Sequence, residues 1–202
     1  MALGDWIEGA LAFLGPAGLL LAMVLIFLVD AAIFPALPEV FIVAFYFVLT
    51  GTWSWAPAVA ALTLLGLALV GDVSGNALLY AVVQRMKATG HVPGFVERAM
   101  RKWTSFLAMG DERLILLNRI APAVPLTGAF IAICGWNVRK SLAYVVIGGA
   151  VKYVLLLVVI IGLGLAFDPG TARLVSIVAV LVLVAASFAA GWIRRQRMVA
   201  RA

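Results

Sequence analysis

Phe34-Pro-Ala-Leu-Pro-Glu39 is the stretch on which the fold turns. Before it runs LLLAMVLIFLV (19–29), and after it VFIVAFYFVL (40–49). Two prolines and a carboxylate interrupt what is otherwise one long apolar run. Each proline removes a backbone N–H and clashes with the preceding turn of a helix. A charge at membrane depth costs at least about 2.5–3.5 kcal/mol on the most lenient insertion scale. The hexapeptide therefore reads as a deliberate break inside an apolar environment.

The rest of the chain supports that environment. Its 202 residues are 65% hydrophobic and 12% charged, and the mean hydropathy is +1.16. A soluble domain is about half apolar and about a quarter charged. Several runs approach the roughly 20 apolar residues needed to cross a bilayer. The composition predicts a polytopic, all-α membrane protein forming a single transmembrane domain over 1–202. The net charge of +6 gathers in a few loops and at the C-terminus. That pattern sets membrane orientation and does not point to nucleic acid. The one cysteine, Cys134, allows no intrachain disulfide and no metal site. The lone histidine, His91, lies in a polar loop. The N-terminal MALGDWIEGA lacks the basic n-region of a signal peptide.

Orientation follows from the basic clusters. Arg85, Lys87, Arg98, Arg101, Lys102 and Arg113 fall in a polar, amphipathic segment (85–113). Arg139 and Lys140 fall in a short loop, and RRQRMVAR closes the chain. The positive-inside rule puts all three in the cytoplasm, and the chain in the cell (inner) membrane. Segment 114–136 then has cytoplasmic charge at both ends, so it dips in and returns. Pro122 and Pro125 supply its turn. Pro35-Ala-Leu-Pro38 and Pro122-Ala-Val-Pro125 are near copies. Each is followed by an apolar stretch and then Gly and Trp: Gly51 and Trp53, Gly135 and Trp136. The expectation is an inverted repeat, with two re-entrant hairpins facing each other and about four spanning helices. The first repeat covers about 11–84, the second about 114–167, and a C-terminal spanning helix covers 172–193. Segment 34–51 either dips from outside or crosses.

Five ionisable residues fall inside apolar segments: Asp30, Glu39, Asp72, Arg119 and Lys152. Such residues normally face protein or a wet cavity and pair with one another. Asp30 reads either as an N-cap of the turn before Pro35 or as a functional acid. Asp72, between Gly71 and Gly75, is either a helix-packing acceptor or a titrating group. Lys152 is too deep in its helix to snorkel easily. Arg119, beside the second tip, is the expected partner of Glu39. No nucleotide-binding loop, HExxH, GxSxG or Cys/His cluster is present, so neither an enzyme nor a cofactor or metal is expected.

These motifs resemble the DedA family, also described as SNARE-associated or VTT-domain membrane proteins. Asp30 to Glu39 is similar to its early acid and Pro-rich stretch ending in an acid. Gly71, Asp72, Gly75 and Tyr80 are similar to its "GD…G…Y" helix. NRIAPAVPLTGAFIAICG (118–135) matches part of its "R-F-x-P-x-x-R…AG" segment, followed by the landmarks Tyr144, Gly148 and Gly149. The likeness covers about residues 25–165. Two positions depart: the family's second arginine falls on Pro125, and a tryptophan usual in the last helix falls on Lys152. The resemblance implies a lipid transporter, either a flippase or a scramblase. Its cargo would be a polyprenyl phosphate or a phospholipid, and it would depend on the proton motive force. Arg119 and Lys152 would then bind phosphate, and Asp30, Glu39 and Asp72 would titrate or gate. The expected partners are membrane lipids and protons, and a homo-oligomer is compatible with the sequence. A proton-driven exporter of small solutes or drugs is the alternative, and a non-transporting scaffold whose charges merely pair is a third reading.

Overall fold

The computed structural model describes residues 15–32, 38–89, 111–120, 126–168, 170–182 and 185. Helices account for nearly all of them, and no strand occurs among the described residues. In chain order they are α1 (Gly15–Ala32), α2 (Pro38–Phe47), α3 (Pro57–Ala88), α4 (Leu114–Ile120), α5 (Thr127–Cys134), α6 (Val138–Ala166) and α7 (Gly170–Val182). A π-helical turn, Val48–Thr52, extends α2. Helices α1, α3 and α6 have 18, 32 and 29 residues and are long and apolar enough to cross a bilayer. Exposed side chains such as Leu62, Leu155, Val158 and Leu165 leave a surface suited to lipid rather than water. The described part is that of a helical membrane protein.

Local chemistry fixes the helix starts. Pro38 and Pro57 each open a helix, where the missing N–H is one the first turn leaves unbonded anyway. Asn137 caps α6, its Oδ1 accepting from the Lys140 N–H at 3.1 Å. Arg139 and Lys140 thus occupy the first turn of α6 and not a loop. Arg85 and Lys87 belong to the last turn of α3. Asp30 lies inside α1, just before its end at Ala32, and the turn before Pro35 that it is expected to cap lies outside the described residues.

Glycines set the helix spacing. A Cβ at Gly71 would stand 2.5 Å from Val24 O and 2.7 Å from Phe27 Cβ, and one at Gly75 would run into Leu28 O. The pair, four residues apart, seats α3 directly on α1. Gly128 does the same for α5 against the Asn76 backbone of α3. The main core joins Leu19, Met23 and Phe27 of α1 to Ile42 and Phe45 of α2, Leu64 of α3, and Tyr153 and Ile160 of α6. Phe27 and Tyr153 meet edge-to-face with ring centroids 5.3 Å apart.

Segment 111–137 has its two ends together. The Asn137 N–H donates to Glu112 Oε1 at 3.1 Å. Further in, Asn118 Nδ2 donates to Thr127 Oγ1 at 3.3 Å, tying α4 to α5. Lys87 Nζ of α3 donates to Ala132 O at 2.9 Å, a cation on the carbonyl end of α5 where the helix dipole favours it. Leu126, which opens α5, has φ +61°, a strained left-handed conformation for a bulky residue. Pro35, Pro122 and Pro125 lie outside the described residues, as do most of the basic segment and the C-terminal tail. The expected spanning helix 172–193 is described only as far as 182 and at 185.

Candidate functional site: two ion pairs at the helix midpoints

Asp72 sits halfway along α3 and Lys152 halfway along α6. At 1.5 Å per residue Lys152 is about 21 Å, and Asp72 about 22–24 Å, from either end of its helix. An unpaired charge in the middle of an apolar spanning helix is poorly tolerated. Both residues are paired.

Arg119 Nη2 lies 2.8 Å from Asp72 Oδ1. Asp72 is 2% exposed. Its Oδ1 also accepts from Asn76 Nδ2 at 3.0 Å, and its Oδ2 faces the Tyr153 hydroxyl at 3.4 Å. Asn76 reaches back one turn because it lies four residues later on the same helix face. Lys152 Nζ forms the second ion pair, with Glu39 Oε1 at the start of α2. Glu39 is 8% exposed, whereas the Lys152 side chain is 31% exposed. The second pair is the more accessible one.

The pairing therefore differs from the sequence expectation. Glu39 meets Lys152, and Arg119 meets Asp72. The cause is packing between α4 and α6. A Cβ at Gly148 would be 2.8 Å from Arg119 Cγ, and one at Gly149 would be 3.4 Å from Asp72 Oδ2. The Gly148-Gly149 pair opens a gap in the wall of α6. The Arg119 stem crosses that gap and delivers the guanidinium to α3. Glu39, carried in from the other side on α2, is left to Lys152.

All four charges thus come from different elements: α2, α3, α4 and α6. Tyr153, adjacent to Lys152, bridges the two pairs. Its ring lies 5.7 Å from Lys152 Nζ and its hydroxyl points at Asp72. Asp30 stands one helix away on α1 and also has an interaction partner. Arg119 Nε is buried and makes no hydrogen bond. A buried donor without a partner costs about 1–3 kcal/mol, more on a charged group, so this guanidinium has capacity for a further acceptor. Tyr153 and Asn76 do not stand out in the sequence. The i, i+4 spacing of Asp72 and Asn76 is visible there, but the contact of Tyr153 with Asp72 depends on how α6 packs on α3.

Among the described residues no group of His, Cys, Asp and Glu could hold a metal ion. No protein-family model, curated protein or solved structure matches this chain.

Proposed function

We propose that this protein moves a phosphate-bearing lipid, a polyprenyl phosphate or a phospholipid, across the cell membrane as a flippase or scramblase, with protons as the coupling partner. The observation that carries the reading is the doubled ion pair at the midpoints of α3 and α6, with one guanidinium nitrogen left unpartnered. A buried ion pair is a poor way to gain stability, because desolvation offsets the attraction. Two of them on four separate elements are better suited to exchange. A lipid phosphate approaching Arg119 would offer the acceptor that Nε lacks, and guanidinium is shaped to bind phosphate oxygens in pairs. Lys152, the most exposed of the four, would meet the anion first. Protonation of Glu39 or Asp72 would release its cation to the phosphate, and loss of the proton would re-form the pair and expel it. Asp30 would serve as a further proton carrier. This is transport, with no bond made or broken in the cargo.

The inverted-repeat architecture belongs to the same proposal. The closed ends of 111–137 at Glu112 and Asn137 support a hairpin entering and leaving on one side. The depth of Arg119 supports a tip near the midplane, the place where transporters of this type bind. Seating of α3 on α1 through Gly71 and Gly75, and of α6 on α4 through Gly148, is what two related halves would produce. Pro38 opens α2 at the corresponding place in the first half. The basic ends of α3 and α6 would face the cytoplasm.

Reconstitution in liposomes tests the reading. Head-group accessibility of fluorescent phospholipid and of polyprenyl phosphate is followed with and without a pH gradient. Lipid movement that Arg119→Gln abolishes is the expected result. Proton-coupled uptake of a small solute without lipid movement would replace the proposal with the exporter reading. Neither activity would leave a scaffold.

A further inference from the structure

Asp72, Asn76, Tyr80 and Gln84 follow one another along α3 at intervals of four, and Lys87 comes three later. That spacing stacks side chains on one side of a helix. Helix α3 therefore carries a polar stripe from its midpoint to its basic end, about 22 Å long. Leu78 and Val82, 51% and 43% exposed, lie on the opposite side of the same helix. Burial relaxes along the stripe. Asp72 and Asn76 are buried, Tyr80 and Gln84 are partly buried, and Lys87 is exposed.

The hydrogen bonds on the stripe run one way. Gln84 Nε2 donates to the Tyr80 hydroxyl at 3.2 Å. Because that oxygen accepts from Gln84, its own O–H is the donor on the inward side. Asn76 Nδ2 donates to Asp72 Oδ1 at 3.0 Å and to Asp72 O at 2.9 Å. The amide thus turns its nitrogen on Asp72 and its Oδ1 away, and Oδ1 is buried without a hydrogen-bond partner. A bound water satisfies such an acceptor where polar neighbours complete its bonds. Helix α5 supplies them as it crosses the stripe. Gly128 lies against the Asn76 backbone, and Thr127 beside it accepts from Asn118 Nδ2 at 3.3 Å. Ala129 and Ala132 pack by Tyr80 and Val83, and Lys87 Nζ fastens the far end to Ala132 O at 2.9 Å.

We propose that this stripe is a water-lined proton path joining Asp72 to the membrane face at the basic end of α3. Between Asp72 and Lys87 its groups are two neutral amides and a phenol, which both donate and accept. They offer a phosphate no cation and a metal ion no carboxylate, so water and protons are what they suit. Water between Tyr80 and Asn76 Oδ1 completes a chain whose donors all point toward Asp72. A proton taken up at the Gln84 end is matched by one delivered to the Asp72 carboxylate. That group becomes a neutral carboxyl and loses its charge attraction for Arg119; loss of the proton reverses each transfer and restores the pair. The charges bearing on Asp72 approach from other helices: Arg119 of α4 and Lys152 of α6, beside Tyr153, with Glu39 of α2 on Lys152 and Asp30 of α1 on Arg119. Use of the path for coupling rests on the lipid-transport reading, whereas water access does not.

The test uses the full-length protein in phosphatidylcholine vesicles, in a Cys134→Ala background. Tyr80→Cys and Gln84→Cys are labelled with a small, charged, membrane-impermeant methanethiosulfonate added to either side, and Lys87→Cys marks the near side. Both should label from the Lys87 side only, Gln84→Cys faster than Tyr80→Cys. Leu78→Cys and Val82→Cys should react at least about tenfold more slowly, since a thiol in an apolar setting ionises less readily. Radiolytic footprinting of the unaltered chain should oxidise Tyr80 and spare Phe45, which is 0% exposed. Labelling from the far side overturns the path. So does a Tyr80→Cys rate no faster than that of Val82→Cys together with an unoxidised Tyr80, which would leave the stripe as mere adhesive between α3 and α5. Arg119→Gln should stop transport without changing the Gln84→Cys rate. Gradient-driven lipid movement with a dry stripe would overturn the path and spare the central mechanism, and a wet stripe without lipid movement would do the reverse.

Discussion

Removing Arg119's charge should be the most damaging single polar change in the bundle. In Arg119→Gln, Asp72 keeps only Asn76 Nδ2 at 3.0 Å and the more distant Tyr153 hydroxyl. At 2% exposure water cannot replace the lost partner. Orphaning one member of a buried ion pair costs about 3–5 kcal/mol. Lys152→Gln should cost less, about 1–3 kcal/mol, because the Lys152 side chain is 31% exposed and its pair is already partly solvated. The assay is reversible unfolding in mixed micelles, read as a double-mutant cycle. Asp72→Asn combined with Arg119→Gln should recover a coupling of about 2 kcal/mol or more, since contacting residues couple strongly. Glu39 should couple to Lys152 and only weakly to Arg119. Gly148→Val, which removes no charge but displaces the Arg119 stem, should mimic Arg119→Gln. Additive effects of Asp72→Asn and Arg119→Gln, or a Glu39–Arg119 coupling larger than that of Glu39 with Lys152, would refute the pairing.

Three further outcomes follow from individual contacts. Gly128→Ala drives a methyl into the Asn76 backbone and should destabilise by about 1–3 kcal/mol; Gly162→Ala, with nothing within 4 Å, is the matched control in the same unfolding assay. Lys87→Gln removes the donor to Ala132 O and should speed amide exchange at Gly135 and Trp136, where α5 ends, without altering exchange at the α6 midpoint. The Thr171 N–H holds the Asp168 carboxyl below its ordinary value of 3.8. The cap's contribution is therefore present above that pH and lost as pH falls through the lower folded value. The excess exchange of Asp168→Ala over wild type at Thr171–Arg173 should accordingly be full at neutral pH and shrink on acidification. In a Cys134→Ala background, cysteines at Thr52 and Asn137 should label from opposite sides of the membrane; same-side labelling would end the inverted-hairpin proposal.

Hydropathy is a local property, and it determined a great deal. Runs of apolar residues marked α1, α3 and α6, because any segment of that length must bury its backbone hydrogen bonds in a helix. The same logic picked out Asp30, Glu39, Asp72, Arg119 and Lys152, since a charge in such a run stands out in the sequence alone. Helix boundaries were less legible. Arg139 and Lys140 read as a loop because charges favour surfaces, yet an Asn137 cap draws them into the first turn of α6. The partners were not legible at all. Three acids and two bases admit several pairings, and proximity to the prolines suggested Glu39 with Arg119. What decided otherwise was a non-local packing fact: the absence of side chains at Gly148 and Gly149 lets an arginine stem cross α6 and reach Asp72 on α3. Tyr153 entered the site the same way, through the face that α6 turns toward α3. Sequence determined which charges the membrane would not tolerate alone, and tertiary structure decided which of them came within reach of each other.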